Sequence, residues 1–290
     1  MPQSTHYHHL KEKWTKRHRE LQKNLLEKHA DSLHWLSQNS KQLMVSSLGG
    51  LLLLAAPGKP LLTAPHLLAS GSELAAPIDK SVFLSSDLNS SLPEEGTPLT
   101  PEQEKNVIDI LKRNFGLNIS AEENGIRLER NYGRIGAEQH LARYPGDTMA
   151  THFDNEEDAR RYWSSGMAPG LGAWRYFAQG HTLTQEDVQR EKYYLAIQTF
   201  LAPGYNQNVK KFSDFFKFKK MLVVNPENGK ALVAVIGDAG PAQWTRKHLG
   251  GSPEVMHYLE RVDGAQVGSV VYFFIDDPEN RVPLGPISVK

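Results

Sequence analysis

Hydrophobic positions along the chain follow different periods in different stretches, and the changes of period divide it. Leu10, Trp14, Leu21 and Leu25 recur at helical spacing with basic residues between them, which predicts a basic amphipathic helix. Residues 43–56 form an uncharged, largely apolar run closed by Pro57. A helix crossing ~30 Å of hydrocarbon needs about 20 residues. The shorter run fits the core of an export signal, and small residues follow it as a cleavage site requires. A helix buried against the body is the other reading. Residues 57–99 are rich in Pro and Ser and keep no period, so they read as a linker that lets a folded body work at a distance from its anchor.

Structure is predicted to resume at Thr100-Pro101-Glu102-Gln103, with Thr100 as N-cap and Gln103 as its capping-box partner. Val107, Ile108, Leu111 and Phe115 make one helical face, and Gly116 ends it. Ile126 and Leu128 alternate with Arg127 and Glu129, as in a short strand. Residues 143–147 read as a turn and Asn155–Trp163 as a helix. Further on, Thr184 opens a short helix and Tyr194–Leu201 is strand-like. Met221–Val224 and Ala231–Ile236 flank an Asn-Pro-Glu-Asn-Gly turn, which is hairpin chemistry. Ser252-Pro253-Glu254 starts a helix burying Val255, Met256 and Leu259. A strand from Gln266 ends in the apolar run Val270–Ile275. Short strands with few helices predict a compact β-barrel, so the fold reads as mainly β with accessory helices. The expected divisions are 1–56 (arm and hydrophobic segment), 57–99 (linker), 100–168 (small α+β region) and 169–290 (barrel).

Composition narrows the chemistry. The 290 residues are 39% hydrophobic and 23% charged, which excludes a multi-spanning membrane protein and a wholly disordered chain. Lys+Arg and Asp+Glu both number 33, so no global basic surface calls for nucleic acid. No cysteine is present, which excludes thiol catalysis, disulfides and cysteine-ligated metals. Charge is uneven, however: basic residues outnumber acids on the stretch before residue 43, which suits an arm meeting an anionic surface. Lys210, Lys211, Lys217, Lys219 and Lys220 interleave with Phe212, Phe215, Phe216 and Phe218. That segment reads as an exposed strand-and-loop edge with lysines blocking aggregation, with an anionic polymer or single-stranded nucleic acid as other uses.

Gly237-Asp238-Ala239-Gly240-Pro241 directly follows the apolar strand 231–236. A carboxyl at the end of such a strand is desolvated and keeps its proton toward neutrality, as a general acid for a glycosidic oxygen must. The stretch 223–241 resembles the central hairpin and Asp-Arg-Gly-Pro segment of double-psi β-barrel domains, in particular the rare lipoprotein A family, related to expansins and lytic transglycosylases. Ser252–Met256 resembles that family's short helix, and Gly172-Ala173-Trp174 its opening. The resemblance covers about 170–275. It implies a six-stranded double-psi barrel acting on or binding peptidoglycan in the cell envelope, without a cofactor or bound metal. The family's arginine is Ala239 here, its second aspartate falls at Gly250 or Gly251, and its histidine falls near Gln198.

The expected protein is thus exported, tethered to the membrane by its N-terminal segment or secreted, and lytic-transglycosylase-like, with Asp238 as catalytic acid. Trp174, Tyr176, Gln198, Trp244, Thr245, Lys247 and His248 are the candidate glycan contacts. A non-catalytic, expansin-like wall-binding module is the alternative, and a cytoplasmic adaptor using the basic arm is a third. His152 and His181 read as isolated surface residues. Glu138-Gln139-His140 and Asp147 read as a second polar cluster, while Glu191, Tyr193 and Tyr194 have no assigned part.

Overall fold

The computed structural model describes residues 80–180, 182–261 and 268–290. The basic arm, the hydrophobic run, and residues 57–79 of the expected linker lie outside the described residues. Helix α1 spans Ser81–Ser91 and α2 Pro101–Phe115. Short strands β1 (Ile119–Ser120), β2 (Glu122–Glu123) and β3 (Ile126–Arg127) lead to β4 (Tyr132–Ala137). Helices α3 (Met149–His152), α4 (Glu156–Tyr162) and α5 (Gln185–Lys192) precede β5 (Tyr194–Ile197). Then follow α6 (Val209–Phe216), β6 (Lys220–Val224), β7 (Ala231–Ala239), β8 (Leu249–Gly251), α7 (Pro253–Tyr258), β9 (Gly268–Ile275) and β10 (Gly285–Ile287). Among the described residues no helix is long and apolar enough to cross a membrane.

The protein is mixed α/β with a closed six-stranded β-barrel. The ring runs β4–β8–β5–β7–β6–β9 and returns to β4, with β1 added beside β9 and β10 beside β7. β4 with β8 and β5 with β7 pair in parallel; the other ring contacts are antiparallel. Ile135, Leu195, Ile197, Leu232, Ala234, Ile236, Leu249, Val270 and Tyr272 belong to one core cluster, with Phe216 of α6 and Val255 and Met256 of α7. Alternate residues of the same strands, Leu222, Val233, Val271 and Phe273, pack in a second cluster with Leu84 and Leu88 of α1 and Val107, Leu111 and Phe115 of α2. Strands β6, β7 and β9 are therefore buried on both faces. That is why they read as continuous apolar runs rather than alternating ones.

Local signals hold where local chemistry decides. Thr100 and Gln103 form the capping box of α2, and Gly116 ends the helix in the left-handed region at φ 66°. Thr184 caps α5 and Ser252 caps α7.

Three expectations change. The barrel does not begin at 169: it takes β4 from residues 132–137, inside the expected α+β region, because a ring strand is defined by its partners rather than by its place in the chain. The end of the expected linker is folded, since Leu84 and Leu88, four apart on α1, are buried and the Ser85 hydroxyl donates to the Pro226 carbonyl at 2.6 Å. The Lys/Phe segment is not a strand edge. Its first half forms α6, with Phe212 and Phe216 one turn apart in the core, while Lys219 in the connection and Lys220 at the start of β6 pair with Glu123 and Asp277.

The β6–β7 turn closes with Gly229 at φ 69°, where an added Cβ would fall on the Ser81 backbone carbonyl. Backbone gives way less readily than a side chain, and the left-handed region alone costs alanine roughly 1–2 kcal/mol. Gly229→Ala is therefore expected to lower unfolding free energy by about 2–3 kcal/mol in urea titrations; an unchanged midpoint would show that α1 moves aside freely.

Candidate functional site

Asp238 owes its orientation to a β-bulge. Leu195 pairs with Ile236 and Ala196 with Asp238, so Gly237 is the extra residue. In strict alternation Asp238 would face the barrel interior with Ile236; the bulge turns it to the outer face beside Ala196. Only glycine fits at 237, because a Cβ there would stand 2.6 Å from the Tyr194 Cβ.

The pairing continues across the sheet from Asp238 to Ala196, from Ala196 to Gly250, and from Gly250 to Gly136. Directly paired residues share a face, so three small residues extend the row that Asp238 begins. A Cβ on Gly250 would fall on the Glu138 carboxyl, and one on Gly136 would lie 2.6 Å from the Lys247 side chain. Glu138 and Lys247 thus fill the space that side chains at 250 and 136 would take. The backbones of Asp238 and Gly250 stand two strand spacings apart, roughly 10 Å. Two carboxyls and one ammonium consequently sit along one strip of the barrel wall.

Their electrostatics are related. Burial raises the Asp238 pKa, and the Ala173 and Ala239 amides donating to its Oδ1, at 2.6 and 2.8 Å, pull it back only partly. Burial also raises Glu138; Lys247, with Nζ 3.4 Å from Oε1, opposes this, and the Asp238 charge adds to it. Sequence reading put Glu138 in a polar cluster with His140 and Asp147 and not beside Asp238. Its place depends on the β4–β8 register, and the only signal in the chain is the side-chain-free pair Gly250-Gly251.

The other candidates divide. Lys247 joins the strip and also donates to the Ala137 carbonyl at 2.8 Å. Trp244 stands 84% exposed on the loop after Asp238. Thr245 closes that loop by donating to the Ala242 carbonyl. Gln198 is buried, its amide donating to the carbonyls of Pro241 and Lys247, so it clamps the loop from behind. His248 accepts from the Arg134 amide at Nδ1 and has Nε2 3.0 Å from Arg130. Burial, Arg130 and Arg134 depress its pKa to about 4, so the ring is neutral. Trp174 is half-buried against the core and donates to the Ser213 hydroxyl on α6. Tyr176 is half-buried, its carbonyl held by the Gln179 amide.

A second polar cluster lies beneath the barrel wall. His140, Arg143, His152 and Glu191 are buried. His152 is thus no surface residue, as its isolation in sequence suggested, because α3 and α5 close over it. Glu191 Oε1 accepts from the Leu141 amide and lies 3.2 Å from His140 Nδ1. Its Oε2 accepts from Arg143 Nε and lies 3.0 Å from His152 Nε2, while His152 Nδ1 is 2.9 Å from Asp147. Two histidines and a glutamate are metal-ligand types. Here both carboxylate oxygens already receive N–H groups and one touches a guanidinium, while the buried His140 Nε2 has no hydrogen-bond partner among the described residues.

Burial alone would lower the His152 pKa; its hydrogen bonds to Asp147 and Glu191 outweigh burial and hold it near 9. A raised histidine contributes fully below its unfolded value of about 6.5 and loses that contribution as pH rises through the folded value. Stability is expected to fall by about 3 kcal/mol between pH 6.5 and 9.5, the equivalent of ~2.5 pKa units. Urea titrations of Glu254→Gln across that range measure it, because the Glu254 carboxyl, raised by burial to about 8, would add to the fall in the native chain; a flat midpoint would mean that His152 is neutral.

Comparison with protein-family models, curated proteins and solved structures found no match to this chain.

Proposed function

We propose that this chain cleaves the glycan strands of peptidoglycan in the cell envelope, in the manner of a lytic transglycosylase, through a barrel of the double-psi type. The observation that carries the reading is the Asp238–Glu138 pair, two half-buried carboxyls with raised pKa values on one strip of barrel wall. Burial raises both carboxyls and the Asp238 charge raises Glu138 further, so one can hold a proton while the other is free to accept one. Asp238 gives its proton to the glycosidic oxygen as the C1–O bond breaks. The sugar's own hydroxyl attacks C1 and loses its proton to Glu138. The parallel pairs β4–β8 and β5–β7 support a double-psi crossing. The exposed indole of Trp244 supports stacking on a sugar face. The hydrophobic segment at 43–56 supports export and tethering.

Incubating the protein with purified peptidoglycan is expected to release soluble 1,6-anhydro sugars, identified by mass. Co-sedimentation without release would instead favour a non-catalytic wall-binding module. One observation points that way: Asp238 Oδ1 already accepts two backbone amides. Neither release nor co-sedimentation would sink both readings.

A further inference from the structure

A recess of about 410 Å³ opens between α4, α5 and α7, away from Asp238. Tyr162, Tyr193 and Tyr258 supply aromatic walls, and Glu254 on α7 contributes to the lining. The recess holds three cations, each with an anionic partner. Lys192 pairs with Asp158 at 2.6 Å, Lys230 with Glu260 at 2.7 Å and Arg161 with Glu157 at 2.9 Å. Glu254 is different. It is only 6% exposed, and neither carboxyl oxygen has a hydrogen-bond partner on any other described residue. A buried carboxyl without a partner is costly, and an arriving cation would supply one.

We infer that this recess binds an alkylammonium group, of the kind carried by a lysine side chain or a free diamine, with the Glu254 carboxylate as its counter-ion. Aromatic walls suit such a cation, because the faces of tyrosine rings attract positive charge and the rings cover the alkyl stem. The volume falls at the small end of ligand pockets, which matches a short alkylamine. Arg161, Tyr162 and His257 also line a neighbouring recess of about 300 Å³ that includes Glu138. The site therefore lies next to the carboxyl strip but does not depend on the glycan reading.

The ligand-free group carries its own signature. Burial and then the nearby charge of Glu191 raise the Glu254 pKa to about 8, with its own amide, Lys192 and Arg143 pulling the other way. Tyr162, Tyr193 and Tyr194 face it as neutral phenols, their pKa values raised by burial first. At pH 7 the carboxyl holds a proton that an arriving ammonium must displace.

Isothermal titration of the full chain with n-pentylamine at pH 7, in phosphate and in Tris, tests this. One amine per chain is expected, with a difference in heat between buffers that corresponds to release of close to one proton. The uncharged n-pentanol should not bind. Glu254→Gln should weaken the amine at least tenfold and abolish the buffer dependence. Tyr258→Ala, at the half-exposed rim, should weaken it several-fold and serves should the first variant fail to fold. Cadaverine and N-acetyl-lysine methylamide separate the sources: preference for the first assigns a free diamine, and for the second a peptide lysine. Absence of binding, equal binding of alcohol and amine, or undiminished binding by a folded Glu254→Gln overturns the proposal. Amine binding without sugar release, or the converse, distinguishes its failure from that of the glycan reading.

Discussion

Replacing Glu191 with alanine is expected to cost about 3–5 kcal/mol of unfolding free energy, the range for removing one partner of a buried ion pair. The carboxylate accepts from the Leu141 amide and from Arg143 Nε, and faces His140 Nδ1 and His152 Nε2. All four partners would lose their acceptor where Glu191, His140 and His152 are 0% exposed. The attraction of the two histidines is strong enough to drive the Glu191 pKa well below the usual carboxylate range despite its burial. Glu191→Gln should recover part of the loss, since an amide oxygen still accepts one N–H while its NH₂ group opposes another and the charge stays uncompensated. Urea denaturation of both variants checks the order wild type, Gln, Ala. A folded Ala variant within 1 kcal/mol of wild type would show that water already enters the cluster. The cluster also bears on the proposed site. It fastens the 140–152 segment, which continues directly from Glu138, to α5, which leads into β5 and so to Ala196 in the carboxyl row. Loosening it should therefore impair glycan release by more than the unfolded fraction accounts for.

What the sequence discloses depends on how far apart the deciding residues lie. The caps at Thr100, Thr184 and Ser252 each need a partner only three residues away, and all three are visible. The β6–β7 hairpin is legible for the same reason, because its turn and both apolar strands fall within a single short stretch. Strand β4 is not: Tyr132–Ala137 lacks clean alternation, and its pairings reach to 249–251 and 268–271. Helix α6 is hidden by its lysines, whose charge suggests an exposed edge although Phe212 and Phe216 point into the core. The aspartate at 238 is legible as an acid, but its outward turn rests on the bulge at Gly237, which only the β5 register reveals. Glu138 gains significance only because it lies over Gly250. Three separate segments supply His140, His152 and Glu191, with no spacing rule to connect them, so each alone looks ordinary.

Asp238→Asn is expected to reduce release of 1,6-anhydro sugars by 10²–10⁴-fold, the usual contribution of a positioned acid or base. The substitution is nearly isosteric, and the asparagine oxygen can still accept from the Ala173 and Ala239 amides that hold the native carboxyl. Stability should thus change by less than about 1 kcal/mol, leaving proton donation as the property removed. Glu138→Gln should also lower release, but by less, because the substrate hydroxyl can pass its proton to water when the carboxylate is missing. It should further flatten the acidic limb of the pH–rate profile, where protonation of the accepting carboxylate otherwise limits the rate. Damage to the fold alone would lower the rate without that change in the profile. Full activity in Asp238→Asn would remove this carboxyl from the chemistry. Loss of release with unchanged binding to insoluble wall, by contrast, would separate the reacting strip from the surface that adsorbs, with Trp244 the first residue to test there.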